Sequence, residues 1–370
     1  MKILIIHQTS NQKTLIDFFD TLGSMNEVKE LMILSPSGGY DSFRNKYRYN
    51  KDLKTDNFEL VLGEVFFKNK KIVNPYRKGF LKKLKEFKPD VVHVMYEAMS
   101  LLTFQLSIIK KMYNFDYKLL FYGFENIYPK KVKDFPFLKS IVIKFLRQNI
   151  DGGAYANSEG IDRLKDLGFN TTNIRRIFRP VEIRIDDNTK KDSKFTLCYV
   201  GRVTEEKGVF DFLKNIKDLN NNIYIKIIGK VNNGEKDIFK SLVDDNNQIE
   251  YIEEIDYNML FQVISTFHIM IVPSKTTFKW KEQFGKVIPE GMWTNNIVVG
   301  SNSGAIPEVI GDDELIFDEK NFPELIDILN KLYLNKEFFN EKLKFIKKRR
   351  LEYSYNNVSK EFIKLYKSVL

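Results

Sequence analysis

The stretch FTLCYVGRVTEEKG, residues 195–208, is the one from which the fold can be worked out. The apolar run Phe195–Val200 predicts a buried strand, and it ends at Gly201, where the missing side chain lets the backbone come close to a ligand. Arg202 and Lys207 follow on the loop and supply donors that suit the oxygens of a diphosphate. Taken alone, this grouping is more typical of a solvated turn with ordinary surface charges.

Strands and helices alternate along the rest of the chain. Short apolar runs predict strands at Lys2–His7, Leu31–Ser35, Val91–Met95, Lys118–Tyr122, Gly153–Ala156, Phe195–Val200, Ile223–Ile228, Ile249–Tyr251, His268–Val272 and Asn296–Val299. Helical patterns lie between them, among others at Leu101–Tyr113, Phe137–Gln148, Ser158–Leu167 and Phe210–Asn215. This alternation favours an α/β protein with parallel sheets covered on both faces.

The alternation restarts near Phe195 after an irregular polar stretch, Arg179–Lys194, which is the best linker candidate. At about 150 residues per domain, the chain is long enough for two domains. We therefore predict two doubly wound domains, residues 1–180 and 181–340, followed by a helical segment, residues 341–370, that returns to the N-terminal domain. Ligands of such sheets bind at the carboxyl ends of the strands, so we expect the site in a cleft between the domains.

Composition excludes several classes of protein. Apolar residues make up 43% of the chain, which excludes a disordered or collagen-like protein. The single cysteine, Cys198, excludes an internal disulfide and favours the reducing cytosol. Three histidines and one cysteine nearly exclude a structural zinc site. His93 lies inside an apolar run, which indicates a core histidine rather than a base.

The sequence also bears on membranes. No apolar run reaches the about 18 residues that a membrane span needs. The N-terminal run Lys2–His7 has no cleavage-site pattern after it, which indicates a buried strand rather than a signal peptide. We therefore expect a cytoplasmic protein, at most bound to the cytoplasmic face of the inner membrane.

Charge is distributed unevenly. Residues 1–180 carry a net charge of +12, residues 181–340 carry −8 and residues 341–370 carry +6, within a total of +10. The opposite net charges of the two predicted domains suggest that they have different partners. The basic half could meet nucleic acid, an anionic membrane or a phosphorylated substrate, and charge alone does not choose among them.

Two carboxylates flank a Phe-Gly pair after the predicted strand His268–Val272. Glu282 comes before Phe284-Gly285 and Glu290 comes after it. If a helix begins near Gly285, its backbone amides could hold phosphate or sugar oxygens, with both carboxylates near the same end. Each carboxylate could accept hydrogen bonds from a diol. The same pattern is also typical of any surface helix whose dipole favours acidic residues in its first turn.

A third loop, Gly300–Glu308, follows the predicted strand Asn296–Val299. It contains Ser303-Gly304 and then Pro307-Glu308, which predicts a helix start. Its amides could face the same phosphates, but alone an ordinary loop is the better interpretation.

Taken in order, these segments resemble the retaining glycosyltransferases of family 4. The order is Gly-Arg…Lys-Gly, then Pro273-Ser274, then Glu-x7-Glu around Phe-Gly, then Ser-Gly-x-x-Pro-Glu. The resemblance covers roughly residues 195–310 and extends more weakly through Pro89–Val94, Asn126–Tyr128 and Ala156–Gly160. It implies the GT-B fold, in which two Rossmann-like doubly wound domains face a central cleft.

The resemblance implies roles by position. Arg202 and Lys207 would bind the diphosphate of a UDP- or GDP-sugar, and Glu282 would contact the donor sugar. Glu290 would hold the ribose. The remaining donor-binding positions would be Gly201, Phe284, Gly285, Lys286 and Gly304. The implied enzyme is a retaining hexosyltransferase without a metal ion or other cofactor, because cationic side chains and amides stabilise the leaving group.

The N-terminal half departs from the family. Many members have a histidine after the fifth strand, where this chain has Phe121–Asn126. Glu125 or Asn126 could line the acceptor side there, and a role in capping the loop is about as good an interpretation.

The acceptor is expected to be a glycan or a polyprenyl- or other lipid-linked sugar. The basic and apolar segment 130–147 could lie on an anionic membrane, or it could simply pack on the sheet with its lysine stems. Two alternatives stay open: another GT-B enzyme, such as a nucleotide-sugar epimerase or a phosphorylase, and a nucleic-acid-binding protein. The last would leave the Glu-x7-Glu segment unexplained, so we expect no nucleic acid partner.

Overall fold

The computed structural model describes residues 1–7, 13–41, 46–49, 51–66, 75–77, 79–127, 136–186, 189–244 and 246–370. The chain divides into two compact units. Unit 1 contains Met1–Pro180 and Tyr355–Leu370, and unit 2 contains Val181–Ser354. The return to unit 1 begins at Tyr355 rather than at residue 341, so residues 341–354 belong to unit 2. Tyr128 and residues 130–135, which the sequence analysis singled out, lie outside the described residues.

Unit 1 is built on a mainly parallel sheet. Its strands are β1 (Lys2–Ile6), β2 (Glu30–Pro36), β3 (Gly38–Asp41), β4 (Lys46–Tyr49), β5 (Leu53–Lys54), β6 (Glu59–Gly63), β7 (Val91–Val94), β8 (Lys118–Gly123), β9 (Gly152–Tyr155) and β10 (Ile174–Arg176). Within the described ranges, the sheet has the order β10-β9-β8-β7-β1-β2-β6-β5, in which β5 and β6 pair antiparallel. Strands β3 and β4 form a separate antiparallel pair. The helices are α1 (Lys13–Gly23), α2 (Gly79–Phe87), α3 (Leu101–Met112), α4 (Phe137–Asn149), α5 (Ser158–Asp166) and, after the chain returns, α13 (Tyr355–Val369).

Unit 2 has a parallel sheet with helices between its strands. The strands are β11 (Phe195–Val200), β12 (Ile223–Ile228), β13 (Ile249–Ile252), β14 (Ile269–Val272), β15 (Ile297–Ser301) and β16 (Ile316–Phe317). Their order in the sheet is β13-β12-β11-β14-β15-β16, and every pair is parallel. The helices are α6 (Val209–Lys214), α7 (Lys236–Val243), α8 (Tyr257–Ile264), α9 (Val287–Trp293), α10 (Ile306–Ile310), α11 (Phe322–Leu334) and α12 (Lys336–Arg349). The predicted α/β class, with two parallel-sheet domains, is confirmed.

Prediction and structure agree best where an apolar run is buried. Strands β11 and β12 have the predicted bounds, and β14 begins at Ile269 rather than His268. The strands that the sequence analysis did not predict are β3, β4, β5, β6, β10 and β16. Three of these six are too short to produce an apolar run, since β5 and β16 have two residues each and β10 has three.

Helix α13 is held to unit 1 by aromatic contacts and one buried hydrogen bond. The rings of Phe18 on α1 and Phe362 on α13 lie 6.1 Å apart, and those of Tyr122 and Phe362 lie 5.4 Å apart. On β7, His93 is fully buried, and its Nδ1 lies 2.7 Å from the Tyr366 hydroxyl. His93 is therefore a core residue that fastens the returning helix. None of the helices in the described ranges is long and apolar enough to cross a membrane.

Burial also makes His93 sensitive to acid. It lowers the pKa of His93 from 6.5 to about 3, so the folded chain holds this ring neutral. Below pH 6.5 the unfolded chain takes up a proton that the folded chain refuses. The contribution of His93 to stability is therefore complete above about pH 6.5 and is lost as the pH falls toward 3.

The free energy of unfolding should decrease between pH 7 and pH 5, and we predict that this decrease is about 2 kcal/mol smaller in His93→Phe than in the wild type. The measurement is urea denaturation followed by circular dichroism. Tyr366→Phe is the matched control, because it removes the same hydrogen bond but leaves the titrating ring. Both variants should lose about 1 kcal/mol at pH 7. If the free energy of unfolding depends on pH equally in the wild type and in His93→Phe, His93 is not the source of the acid sensitivity.

Candidate functional site

Three loops of unit 2 meet at one edge of its sheet. They follow β11, β14 and β15, which are neighbours in a parallel sheet and therefore end at the same edge. Ligands of such sheets bind at this edge. The three sequence motifs thus come together, as their order along the chain predicts.

Two glycines let these loops pack against one another. Gly208 has φ +70°, and a Cβ there would lie 1.8 Å from the carbonyl oxygen of Pro273. Gly304 has φ +54°, and a Cβ there would lie 2.2 Å from the carbonyl oxygen of Glu282. Only glycine fits such close backbone approaches. The neighbouring Ala305 amide donates to that Glu282 oxygen at 2.9 Å, so the third loop fixes the backbone of the second.

The central contact is an ion pair between the first two loops. The Nζ of Lys207 lies 2.7 Å from Oε2 of Glu282, and the two side chains are only 20% and 13% exposed. Partial burial strengthens such a pair, because less water screens it. The Nζ of Lys207 also lies 4.4 Å from the centre of the Trp280 ring, within cation–π distance. The hydroxyl of Ser274 lies 3.5 Å from the same Glu282 oxygen.

A second ion pair lies at the start of α9. Helix α9 begins at Val287 and carries Glu290 in its first turn. The Nζ of Lys286 lies 2.8 Å from Oε1 of Glu290, whose side chain is mostly buried. In the first turn of the helix, the Ile288 amide donates to the Gly285 carbonyl at 2.8 Å. Glu290 is therefore a carboxylate with a neutralising cation beside it.

Phe284 and Arg202 are placed differently from these two pairs. Phe284 is buried and lies 6.1 Å from the ring of Tyr353, so its side chain belongs to the core and only its backbone could meet a ligand. The guanidinium of Arg202 is largely exposed and lies 3.9 Å from Oε1 of Glu206. The preceding Gly201 amide donates to the Ile228 carbonyl at 2.9 Å. Arg202 thus stands at the rim of the loop cluster.

The two candidate acceptor residues hold their own loop together in unit 1. Oε1 of Glu125 accepts a hydrogen bond from the Ile127 amide at 2.8 Å. Asn126 is buried, and its Nδ2 donates to Oε2 of Glu159 at 2.9 Å. These contacts are those of residues that cap a loop.

The residue that organises this loop is Glu97, which the sequence analysis missed. Its Oε1 accepts from the amides of Phe124 and Glu125 at 2.6 and 2.9 Å, and its Oε2 accepts from the Tyr155 hydroxyl at 2.6 Å. Burial and the Glu97 carboxylate raise the pKa of Tyr155 well above its ordinary value, so this hydroxyl stays protonated and donates. The available signal was a carboxylate soon after the buried strand β7.

Trp280 was also missed, although an aromatic residue between Ser274 and Glu282 was visible in the sequence. As for metal ligands, the described part of the chain contains no group of three or more His, Cys, Asp or Glu side chains placed to hold an ion.

Comparison with known proteins links unit 2 to a family. Residues 181–351 match the family model "Glycosyl transferases group 1". An uncharacterised 42.6 kDa protein in the cps region of Klebsiella pneumoniae is 24% identical over 213 residues, which are 55% of this chain and 54% of that protein. The chain thus spans about half the length of the curated relative that it matches.

Solved structures share the fold over both units. The lipopolysaccharide outer core galactosyltransferase WaaB, in its apo form, matches with a TM-score of 0.68 at 15% identity. HepE of Anabaena, solved in complex with UDP and glucose, matches with a TM-score of 0.63 at 13% identity. Each match covers 100% of both chains. The protein therefore has the GT-B fold of these structures, and the match to the group 1 family model lies in its second unit.

Proposed function

We propose that this protein is a retaining glycosyltransferase that moves a sugar from a nucleoside-diphosphate sugar to a glycan or lipid-linked acceptor. The observation that carries the proposal is the Lys207–Glu282 pair, 2.7 Å long, at the carboxyl edge of the sheet in the group 1 domain. It combines a cation for phosphate oxygens with a carboxylate for sugar hydroxyls.

Lys207 is suited to a diphosphate even while it is paired with Glu282. An ammonium group has three N–H donors, so the contact with Glu282 leaves donors for phosphate oxygens. We infer that Lys207 and the exposed Arg202 neutralise charge as the nucleoside diphosphate leaves, in place of a divalent ion. Glu282 accepts hydrogen bonds from the donor sugar, and Glu290 accepts them from the ribose while Lys286 balances its charge.

The reaction needs no nucleophile from the protein. The acceptor hydroxyl attacks the anomeric carbon on the face from which the diphosphate departs. The bond from carbon to the diphosphate oxygen breaks as the new glycosidic bond forms, and the hydroxyl proton passes to the departing phosphate. This route retains the configuration and assigns Glu282 and Glu290 to binding rather than to an acid–nucleophile pair.

UDP is the better supported nucleotide of the two. HepE was solved with UDP and glucose, WaaB is a lipopolysaccharide galactosyltransferase, and the Klebsiella relative is encoded in a cps region. These proteins support a UDP-sugar donor and a role in surface polysaccharide or glycolipid synthesis.

We predict that Lys207→Ala lowers kcat about a hundredfold and that Arg202→Ala and Glu290→Gln each lower kcat/KM at least about tenfold. The measurement is transfer from UDP- and GDP-sugars to lipid-linked and glycan acceptors by the purified chain. Lys279→Ala is the matched control, since Lys279 lies exposed near Glu282 in sequence but outside the two ion pairs.

Wild-type turnover in the triple variant Lys207→Ala/Arg202→Ala/Glu290→Gln would contradict the site. Two other results would contradict the reaction itself. Conversion of the donor without any acceptor would indicate an epimerase, and a requirement for inorganic phosphate would indicate a phosphorylase.

We further propose that unit 1 meets the acceptor at an anionic membrane, at the cytoplasmic face, through α4. Three apolar side chains of this helix are exposed: Phe137 at 79%, Leu138 at 76% and Ile141 at 48%. Lys139 and Lys144 lie exposed on the same helix. Unit 1 has a net charge of +14 and unit 2 of −4, so the basic charge belongs to the unit with this helix. Apolar insertion together with attraction to anionic lipids is how interfacial helices bind.

We predict that the protein floats with vesicles rich in phosphatidylglycerol but not with phosphatidylcholine vesicles, and that high salt weakens the binding. The variant Phe137→Ser/Leu138→Ser/Ile141→Ser should stay at the bottom of the gradient. Ile238→Ser/Met259→Ser removes exposed apolar side chains from unit 2 and should float like wild type. If the α4 variant floats, or if the wild type does not float, α4 is not the membrane-binding surface.

A further inference from the structure

The segment between β14 and Glu282 carries an aromatic residue at the ion pair. Trp280 lies with its ring centre 4.4 Å from the Nζ of Lys207, on the same ammonium that Glu282 holds at 2.7 Å. Phe278, two positions earlier, is 95% exposed. The two aromatic residues of this segment therefore have different surroundings, and Trp280 is the one that touches the charged site.

The segment is anchored at several points, which keeps the indole in place. Lys275 forms an ion pair with Asp211 on α6. The Thr276 amide donates to Oε2 of Glu319 at 2.6 Å, and its hydroxyl lies 2.9 Å from that of Ser303. The amide of Thr277 donates to the Trp280 carbonyl at 2.7 Å, which closes a turn just before the indole. Trp280 thus belongs to a fixed loop.

Lys207 needs such a support, because a lysine side chain is flexible. Its ammonium sits on a four-carbon stem and can point in many directions. Glu282 fixes it by charge, but a carboxylate alone allows the ammonium to swing around its two oxygens. The negative face of an indole attracts a cation from a second direction. Together the two contacts define one position for the Nζ.

We propose that Trp280 is a positioning residue that holds the Lys207 ammonium where it meets the diphosphate of the donor. The inference rests on the proposed function, in which Lys207 binds that diphosphate. Trp280 acts through Lys207 and needs no contact of its own with the nucleotide. It follows that the effect of Trp280 on nucleotide binding disappears when the lysine is removed.

The test is a double-mutant cycle on the full chain, with UDP and GDP each titrated by calorimetry. For whichever diphosphate binds the wild type, Trp280→Leu should raise the Kd about fivefold. Trp280→Phe, which keeps an aromatic face, should change this Kd less than about twofold. In the Lys207→Met background, Trp280→Leu should have no further effect. Phe278→Leu is the matched control on the same loop and should bind like wild type.

Three results would overturn the inference. One is an equal loss on Trp280→Leu with and without Lys207, in variants whose circular dichroism shows the native fold. Another is a loss on Trp280→Phe as large as on Trp280→Leu. The third result concerns the proposed function itself. Tight diphosphate binding by Lys207→Met, or no binding of UDP and GDP by the wild type, would contradict that function and the inference with it.

Discussion

The ion pair between Lys207 and Glu282 depends on backbone approaches that only glycine allows. Gly208 brings the turn that carries Lys207 against the Pro273 carbonyl, and Gly304 brings the third loop against the carbonyl of Glu282. With those approaches, two side chains distant in sequence meet at 2.7 Å at the edge of one sheet. The parallel sheet supplies the edge, and the glycines bring the charged groups together there.

Much of the fold follows from the sequence because buried parallel strands are continuous apolar runs. Strands β11 and β12 show this, whereas the two-residue strands β5 and β16 leave no such run. The residue at which the chain returns to unit 1 was harder to predict. The prediction compared the net charge of residues 341–370 with the net charge of each whole domain. Helix α12 stays in unit 2 because Lys342 is buried there, 2.8 Å from Asp312 and 2.6 Å from Glu314. The local ion pairs of Lys342 therefore decide which unit α12 packs in, and the net charge of a whole domain does not.

The candidate site was predictable in its membership but not in its contacts. The order of the motifs places Lys207 and Glu282 on neighbouring loops and Glu290 in the first turn of the helix that follows Glu282, and this is a property of topology. That Glu282 pairs with Lys207 while Glu290 pairs with Lys286 is set by side-chain geometry, which spacing does not reveal. Trp280 and Glu97 were missed for the same reason, because each acts on a residue far away in the sequence.

The most direct test of the central claim, that the loop edge of unit 2 binds a nucleoside diphosphate, is a thermal-shift comparison of UDP and GDP with UMP and GMP. A ligand that binds only the folded chain raises its apparent stability in proportion to its affinity and concentration. We expect UDP or GDP to raise the unfolding midpoint in a concentration-dependent way, and well above the matching monophosphate, because the proposed site binds the diphosphate through Lys207 and Arg202. Equal midpoints with diphosphates, with monophosphates and without nucleotide would contradict the claim.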